Sequence, residues 1–302
     1  MWSYGISTKK SKFSNKMTIK TAVFPVGGLG TRFLPATKSM PKEMLPVFGK
    51  PIIQHAFEEA KAAGVEKFIF VTGRNKNAIN NHFDKAYELE NSLNETQKIS
   101  EINKVSGWLS KAGSISFIRQ GEPLGLGHAI YCAKNFVNEP FIVILADEMV
   151  LEQRQSNLLK NMITQYNKNA QNSNVISVAK VEKKDVHKYG IISAKEEKIT
   201  DMVEKPNQNE APSDLAINGR YILQPEIFSF LEKQKTGKNG ELQLTDAMKS
   251  MIKHNHNFYY SLFEEDRFDC GNPLGYLEAN IAYAKKYADK PQELSKILKK
   301  YL

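Results

Sequence analysis

The order in which apolar segments recur constrains this chain more than any other feature. Through the first half, strand-length apolar runs alternate with stretches of helical spacing. Thr21–Val26 is a short apolar run that ends in Gly27-Gly28. Pro51–Ala63 then places Ile52, Ile53, Ala56, Phe57, Ala60 and Ala63 on one helical face, and Gly64 closes it. Lys67–Thr72 and Ile115–Ile118 read as buried strands. Ala129, Ala133 and Phe136 return to helical spacing, and Phe141–Leu145 is a continuous apolar run ending near Asp147. A β-α-β-α order of this kind predicts an α/β fold with a doubly wound, mostly parallel sheet and helices on its faces.

The remainder is read more coarsely. Residues 81–112 are polar with weak helical periodicity and are expected to form a helical excursion. Strands resume at Val175–Val181 and Arg220–Leu223. Leu274, Leu277, Ile281, Ala284 and Ala288 predict a long amphipathic helix. Leu294, Ile297, Leu298 and Tyr301 predict a second stripe, whose default role is to cover the domain and whose alternative role is to meet a partner subunit.

At 302 residues the chain accommodates one large α/β domain or two small ones. The pattern favours a single domain over residues 17–290. That domain divides into a first part over about 17–150 and a second over about 151–272. Residues 291–302 form a C-terminal helical segment. Residues 1–16 carry Lys9, Lys10, Lys12 and Lys16 without an acid and read as a flexible basic tail, so that Met17 could be the native start. That tail supplies much of the net charge of +9 and leaves a mildly basic body. Such a body suits small anionic substrates and is not accompanied by a nucleic-acid motif. No apolar run is long enough for a membrane span, and no secretory leader is visible. Two cysteines, Cys132 and Cys270, make no disulfide framework and read as packing residues. A cytoplasmic protein is expected.

The glycine cluster Gly27-Gly28-Leu29-Gly30 directly after the first strand lets backbone N–H groups approach a ligand. It is not a Walker A loop, since no Gly-Lys-Ser/Thr follows. Nor is it a dinucleotide fingerprint, because Phe33 stands where a third glycine belongs. Arg32 and Lys42 follow at once among Pro35, Pro41 and Pro46, which suppress helix and hold an irregular loop. A guanidinium and an ammonium beside backbone donors are what a triphosphate needs.

The run Gly28-Leu29-Gly30-Thr31-Arg32-Phe33-Leu34-Pro35-Ala36-Thr37-Lys38-Ser39-Met40-Pro41-Lys42-Glu43-Met44-Leu45-Pro46 resembles the motif of the sugar-1-phosphate nucleotidylyltransferases. Its Pro-Lys-Glu-Met-Leu-Pro form is similar to that of the bacterial branch acting on UTP and glucose 1-phosphate. The resemblance continues over roughly residues 18–285. It implies a Rossmann-like nucleotide-diphospho-sugar transferase fold, a magnesium ion (Mg2+), and a homo-oligomer, dimer or tetramer. It also implies roles for individual residues. Gly27, Gly28, Leu29 and Gly30, with Gln120 and Gly125, would bind the nucleotide. Gly190, Glu204 and Lys205 would hold the sugar phosphate. Arg32, Lys42, Asp147 and Lys205 would carry the catalysis, and Asp147 and Asp269 would bind the metal. Many relatives have a second aspartate after the first, where this chain has Glu148. His128 reads as a helix-start residue. Glu241 and Asp246 would brace the site or cap a helix, Asn218–Tyr221 would serve structure or also contact the sugar, and Arg74, ending a strand on the same edge, would reach substrate or lie on the surface. Related pyrophosphorylases using another nucleotide or sugar, and a non-catalytic regulator on the same fold, are the competing readings.

Overall fold

The structure is a computed structural model that describes residues 18–152, 157–169, 172–237 and 240–301. The expected tail over 1–16, with Met17, lies outside them. The first half holds β1 (Thr21–Val26), β2 (Pro46–Val47), β3 (Lys50–Pro51), α1 (Ile52–Ala62), β4 (Lys67–Thr72), α2 (Asn77–His82), α3 (Tyr87–Glu95), α4 (Ile99–Val105), β5 (Ile115–Arg119), α5 (Leu126–Tyr131), β6 (Phe141–Ile144) and β7 (Glu148–Leu151). The second half holds α6 (Leu158–Lys168), β8 (Ser173–Lys180), β9 (Gly190–Lys195), β10 (Lys198–Glu204), β11 (Leu215–Leu223), α7 (Ile227–Lys233), α8 (Leu244–Lys253), β12 (Asn257–Leu262), β13 (Asp266–Asp269), α9 (Pro273–Tyr287) and α10 (Pro291–Lys300).

One nine-stranded sheet has the order β5-β4-β1-β6-β11-β8-β12-β10-β9. The continuous apolar runs become strands buried on both faces, as parallel sheets require. Along β1, Ala22, Phe24 and Val26 join one core and Val23 joins the other. Helices therefore cover both faces. The first core packs α1 and α6 through Ile52, Ile53, Phe57, Leu159 and Met162. The second packs α5, α7 and α8 through Ile130, Leu231, Met248 and Met251. Aromatic rings lock α1 and the end of α2 onto the sheet, with ring centroids 4.4 Å apart for Phe57 and Phe68 and 4.5 Å apart for Phe70 and Phe83. Each such buried side chain stabilises the fold by roughly 1.5–3 kcal/mol.

The sheet is mixed but not mostly parallel, which corrects the expected share of parallel pairing. Parallel neighbours are confined to β5–β4–β1–β6 and to β8–β12; β6–β11, β11–β8, β12–β10 and β10–β9 are antiparallel. The reason is connectivity. In the first half helices link the strands, and a crossover returns a strand parallel. In the second half β9 and β10 form a hairpin through Glu196-Glu197, and β10 leads to β11 through a loop without a helix. Outside the sheet, β7 pairs with β13 and places Asp269 opposite Glu148.

The C-terminal helices also differ from expectation. On α9 the buried side chains are Ala279, Tyr283 and Ala284, while Leu274, Leu277 and Ile281 are 79%, 55% and 37% exposed. On α10 no residue is buried, and Ile297 and Tyr301 are exposed. Among the described residues this stripe does not cover the domain.

Candidate active site

The carboxyl ends of β1, β5 and β6, with the middle of the antiparallel β11, open into a cavity of about 560 Å³. Gly27, Gly28, Leu29, Gly30, Lys42, Gln120, Gly125, Asp147, Gly190, Glu204 and Lys205 all line it. Residues that the sequence places on seven separate segments thus meet on one wall. Arg32 and Asp269 stand just beyond that lining.

The glycine loop leaves β1 and winds into short 3-10 turns at Thr31–Phe33 and Lys42–Met44. The second turn aims Lys42 across the cavity, and its Nζ lies 2.5 Å from Asp147 Oδ2. Asp147 follows β6, whose four residues are all buried. Burial disfavours both charged forms. The facing Asp147 and Glu43 carboxylates nevertheless raise the Lys42 pKa, and the ammonium of Lys42 holds the Asp147 carboxyl below its ordinary range. Both groups are therefore charged at neutral pH. Arg32 lies alongside, with Nη1 donating to the Gly271 carbonyl at 3.4 Å.

Two carboxylates converge over Gly271. A Cβ there would lie 2.8 Å from Asp269 Oδ1 and 3.2 Å from Asp147 Oδ2, so a side chain would fill the space the oxygens share. Asp269 is held by the Gly271 N–H at 2.8 Å and the Asn272 side-chain amide at 3.0 Å. Two hard oxygen ligands with room beside them suit a divalent cation that completes its shell with water and phosphate. Lys42 Nζ contacts one of those same oxygens, so a cation held there would share that oxygen with the ammonium. Among the described residues no cluster of three His, Cys, Asp or Glu forms an all-protein cage. Glu148 is a poorer ligand. Burial pushes its carboxyl up to about 7; Arg267 opposes this, and Asp269 and Asp147 add to it.

On the base side, the Gln120 amide nitrogen donates to the Gly125 carbonyl at 3.2 Å and lies 3.1 Å from His128 Nδ1. His128 thus supports Gln120. Gly125 has φ 94°, and a Cβ there would lie 2.9 Å from the Leu242 carbonyl. Its lack of a side chain is therefore demanded by the Leu242 segment as well as by the cavity. The Leu242 N–H bonds the Leu124 carbonyl at 2.8 Å, and the Gly127 N–H bonds the Leu242 carbonyl at 2.8 Å.

On the sugar side, Glu204 ends β10 and Lys205 follows it with φ 45°. A lysine in the left-handed region is uncommon, and such positions concentrate at binding sites. The Lys205 N–H is anchored to the Tyr189 carbonyl at 3.0 Å, and its ammonium lies 3.7 Å from Glu204. Thr245 donates to Glu204 Oε2 at 2.7 Å and so orients that carboxylate. Glu241, Gln243, Thr245, Tyr189 and Tyr221 also line the cavity. Sequence reasoning gave Thr245 no role of its own and named Tyr221 only as part of the Asn218–Tyr221 segment. The hint was available, because Gly240–Asp246 and Asn218–Tyr221 belong to the family-like segments. Arg74 is not among the residues lining the cavity.

The nucleotidyl transferase family model matches residues 21–286. The chain is 44% identical over 288 residues to UTP--glucose-1-phosphate uridylyltransferase 2 of Staphylococcus saprophyticus, across 93% of this chain and 98% of that one. It is 45% identical over 272 residues to the UTP--glucose-1-phosphate uridylyltransferase of Bacillus subtilis, across 88% of this chain and 91% of that one. Among solved structures, UTP-bound UGPase from Acinetobacter baumannii superposes with a TM-score of 0.84 at 38% identity, across 93% of this chain and 98% of that one. A UDP-glucose pyrophosphorylase complexed with UDP-glucose superposes with a TM-score of 0.76 at 44% identity, across 89% of this chain and all of that one. The chain belongs to the nucleotidyl transferase family. Within that family, both of these curated relatives are named for uridylyl transfer to glucose 1-phosphate.

Proposed function

We infer that this protein joins UTP and glucose 1-phosphate into UDP-glucose and pyrophosphate. The observation that carries the reading is the convergence of Lys42, Asp147, Gln120, Glu204 and Lys205 on one cavity at the carboxyl edge of the sheet. Strand order reverses there between β1 and β6, the switch point at which doubly wound sheets bind ligands. The names of the curated relatives supply the nucleotide and the sugar.

The chemistry follows from charge. A phosphate monoester has a second pKa of about 6, so the attacking sugar phosphate is already anionic and needs no protein base. The obstacle is repulsion between two anions, which positive charge and alignment relieve. Lys42 and Arg32 hold the triphosphate and the leaving pyrophosphate, while Lys205 receives the sugar phosphate. Glu204, oriented by Thr245, accepts from glucose hydroxyls. Gln120, Gly125 and the Gly27–Gly30 loop hold the nucleotide. Asp147 and Asp269 would hold magnesium, which would supply positive charge against the charge developing on the phosphates.

Pyrophosphate release with glucose 1-phosphate, magnesium and each of UTP, dTTP, CTP and ATP tests the reading. Turnover is expected with UTP and should cease on chelation. Turnover with another nucleotide alone would change the assigned substrate, and none with any pair would leave a binding protein. A reducing, cytoplasmic setting suits the reaction, since Cys132 and Cys270 are both free thiols.

The same reading includes a homo-oligomer. Leu274, Leu277 and Ile281 on α9 lie exposed in one helical stripe, a face that a second copy would bury. Light scattering should give the mass of a dimer or tetramer, and Leu277→Lys should lower it without changing the melting temperature by more than about 2 °C. A wild-type protein with the mass of one chain would remove this part.

A further inference from the structure

We propose that the buried Arg220–Glu59 pair is a clamp that positions Asp147. Arg220 sits in β11 within a register shift between Ile217 and Tyr221, where Gly219 takes φ 78°. Such bulges re-aim a side chain out of its ordinary alternation. The Arg220 side chain is 2% exposed, and its guanidinium makes two sets of bonds. Toward α1 it engages Glu59 side-on, Nε to Oε1 at 3.1 Å and Nη2 to Oε2 at 2.6 Å. Toward the site its Nη1 donates to the Glu148 carbonyl and, at 3.4 Å, to the Leu145 carbonyl.

Those two carbonyls flank Asp147. One guanidinium therefore fixes both ends of the turn that carries the carboxylate. The turn has other ties. The Leu145 N–H bonds the Gly219 carbonyl at 2.9 Å, and the Cys270 N–H bonds the Asp147 carbonyl at 2.7 Å. The second tie joins the Asp147 turn to the segment holding Asp269. The Glu148 N–H also closes the turn onto the Leu145 carbonyl at 3.3 Å, and the guanidinium binds both flanking carbonyls together. Its planar fork can serve a carboxylate and carbonyls at once, which a lysine cannot do. A buried ion pair is a weak source of net stability. The pair's distinctive consequence is geometric: it sets the position of Asp147 relative to Lys42 and Asp269.

The inference rests on the reading of Asp147 as a reacting-site carboxylate. The test uses three proteins: Arg220→Met combined with Glu59→Leu, which leaves neither charge stranded, Arg220→Lys alone, and Asp147→Asn. In the double variant turnover should fall about 10–100-fold, the range seen when outer partners of metal ligands are removed. The KM for UTP should stay within about threefold, because Gln120 and the glycine loop are untouched. Arg220→Lys should recover little, since the fork is lost. Amide exchange in metal-free protein should quicken at Leu145, Glu148 and Cys270 and remain unchanged in β1. Normal turnover in the double variant, with Asp147→Asn inactive, would overturn the clamp and leave the reading of Asp147 standing. Exchange that quickens throughout β1 and β6 would make the pair a general brace and would also overturn it. An active Asp147→Asn protein would remove the reading beneath the proposal, and the proposal with it.

Discussion

Lys42→Ala lowers UDP-glucose turnover by about 10²–10³-fold and leaves the fold intact. The expectation follows from where the ammonium stands. Its Nζ lies against Asp147 Oδ2 at the mouth of the glycine loop, beside Arg32, and the neighbouring carboxylates keep it protonated across the neutral range. Transfer brings one phosphate anion onto another, so a fixed cation there acts mainly on the transition state. The loss should therefore appear in kcat rather than in the KM for glucose 1-phosphate, whose cradle at Glu204 and Lys205 is separate. Stability should change little, because both members of the pair remain about a quarter exposed. Removing the ammonium also releases the Asp147 carboxyl from the charge that lowers its pKa. Steady-state pyrophosphate release and a thermal melt on the same sample check both halves. Near-normal turnover in a folded Lys42→Ala protein would take Lys42 out of the reaction.

Much of the site could be read because the chemistry sits on segments with their own punctuation. Strand β1 ends in a glycine cluster, β6 ends near Asp147, and prolines surround Lys42. Those marks locate side chains at strand ends before any fold is known. The strands β9, β10, β12 and β13 were not legible, and each has a physical reason. The β9–β10 hairpin turns on Glu196-Glu197, with Glu196 at φ 54°, and lacks the Asn-Gly or Gly signal of tight turns. Strand β12, Asn257–Leu262, holds strand-forming Phe258, Tyr259 and Tyr260 but no clean apolar alternation, and its place beside β8 comes from parallel pairing that periodicity does not report. Strand β13 holds Asp266, Arg267 and Asp269 in four residues, and only pairing with β7 makes it a strand. The missed strands explain the overestimate of parallel pairing. The face of α9 misleads for a different reason. Periodicity reports that Leu274, Leu277 and Ile281 share a side, but not whether this chain or another surface covers it. Partners such as Thr245 for Glu204, or Arg220 for the Asp147 turn, lie far apart in sequence and emerge only when the sheet closes.

Lys76→Met should destabilise the protein by about 3–5 kcal/mol, the range for breaking one side of a buried ion pair. For a domain of this size that is a fall in Tm on the order of 10 °C. Lys76 Nζ meets Glu43 Oε2 at 2.7 Å, and the two side chains are 7% and 2% exposed. Glu43 precedes Met44 in the 3-10 turn that carries Lys42, while Lys76 lies at the start of α2 after β4. The pair therefore ties the Lys42 turn to the neighbouring strand's exit. Burial raises the Glu43 carboxyl above its ordinary range even with Lys76 and Lys42 opposing. Without Lys76 that carboxyl rises further. A carboxyl with a raised folded pKa contributes its full stability below the unfolded pKa and loses it as pH climbs through the folded value. The deficit of Lys76→Met is thus smallest near the ordinary glutamate pKa and widens toward neutral pH. Glu43→Leu combined with Lys76→Met leaves no stranded charge and should recover most of the loss. Urea melts of the three proteins at acidic and neutral pH check this. A deficit independent of pH, or a double variant no better than the single one, would show that Lys76 acts by packing and not through Glu43.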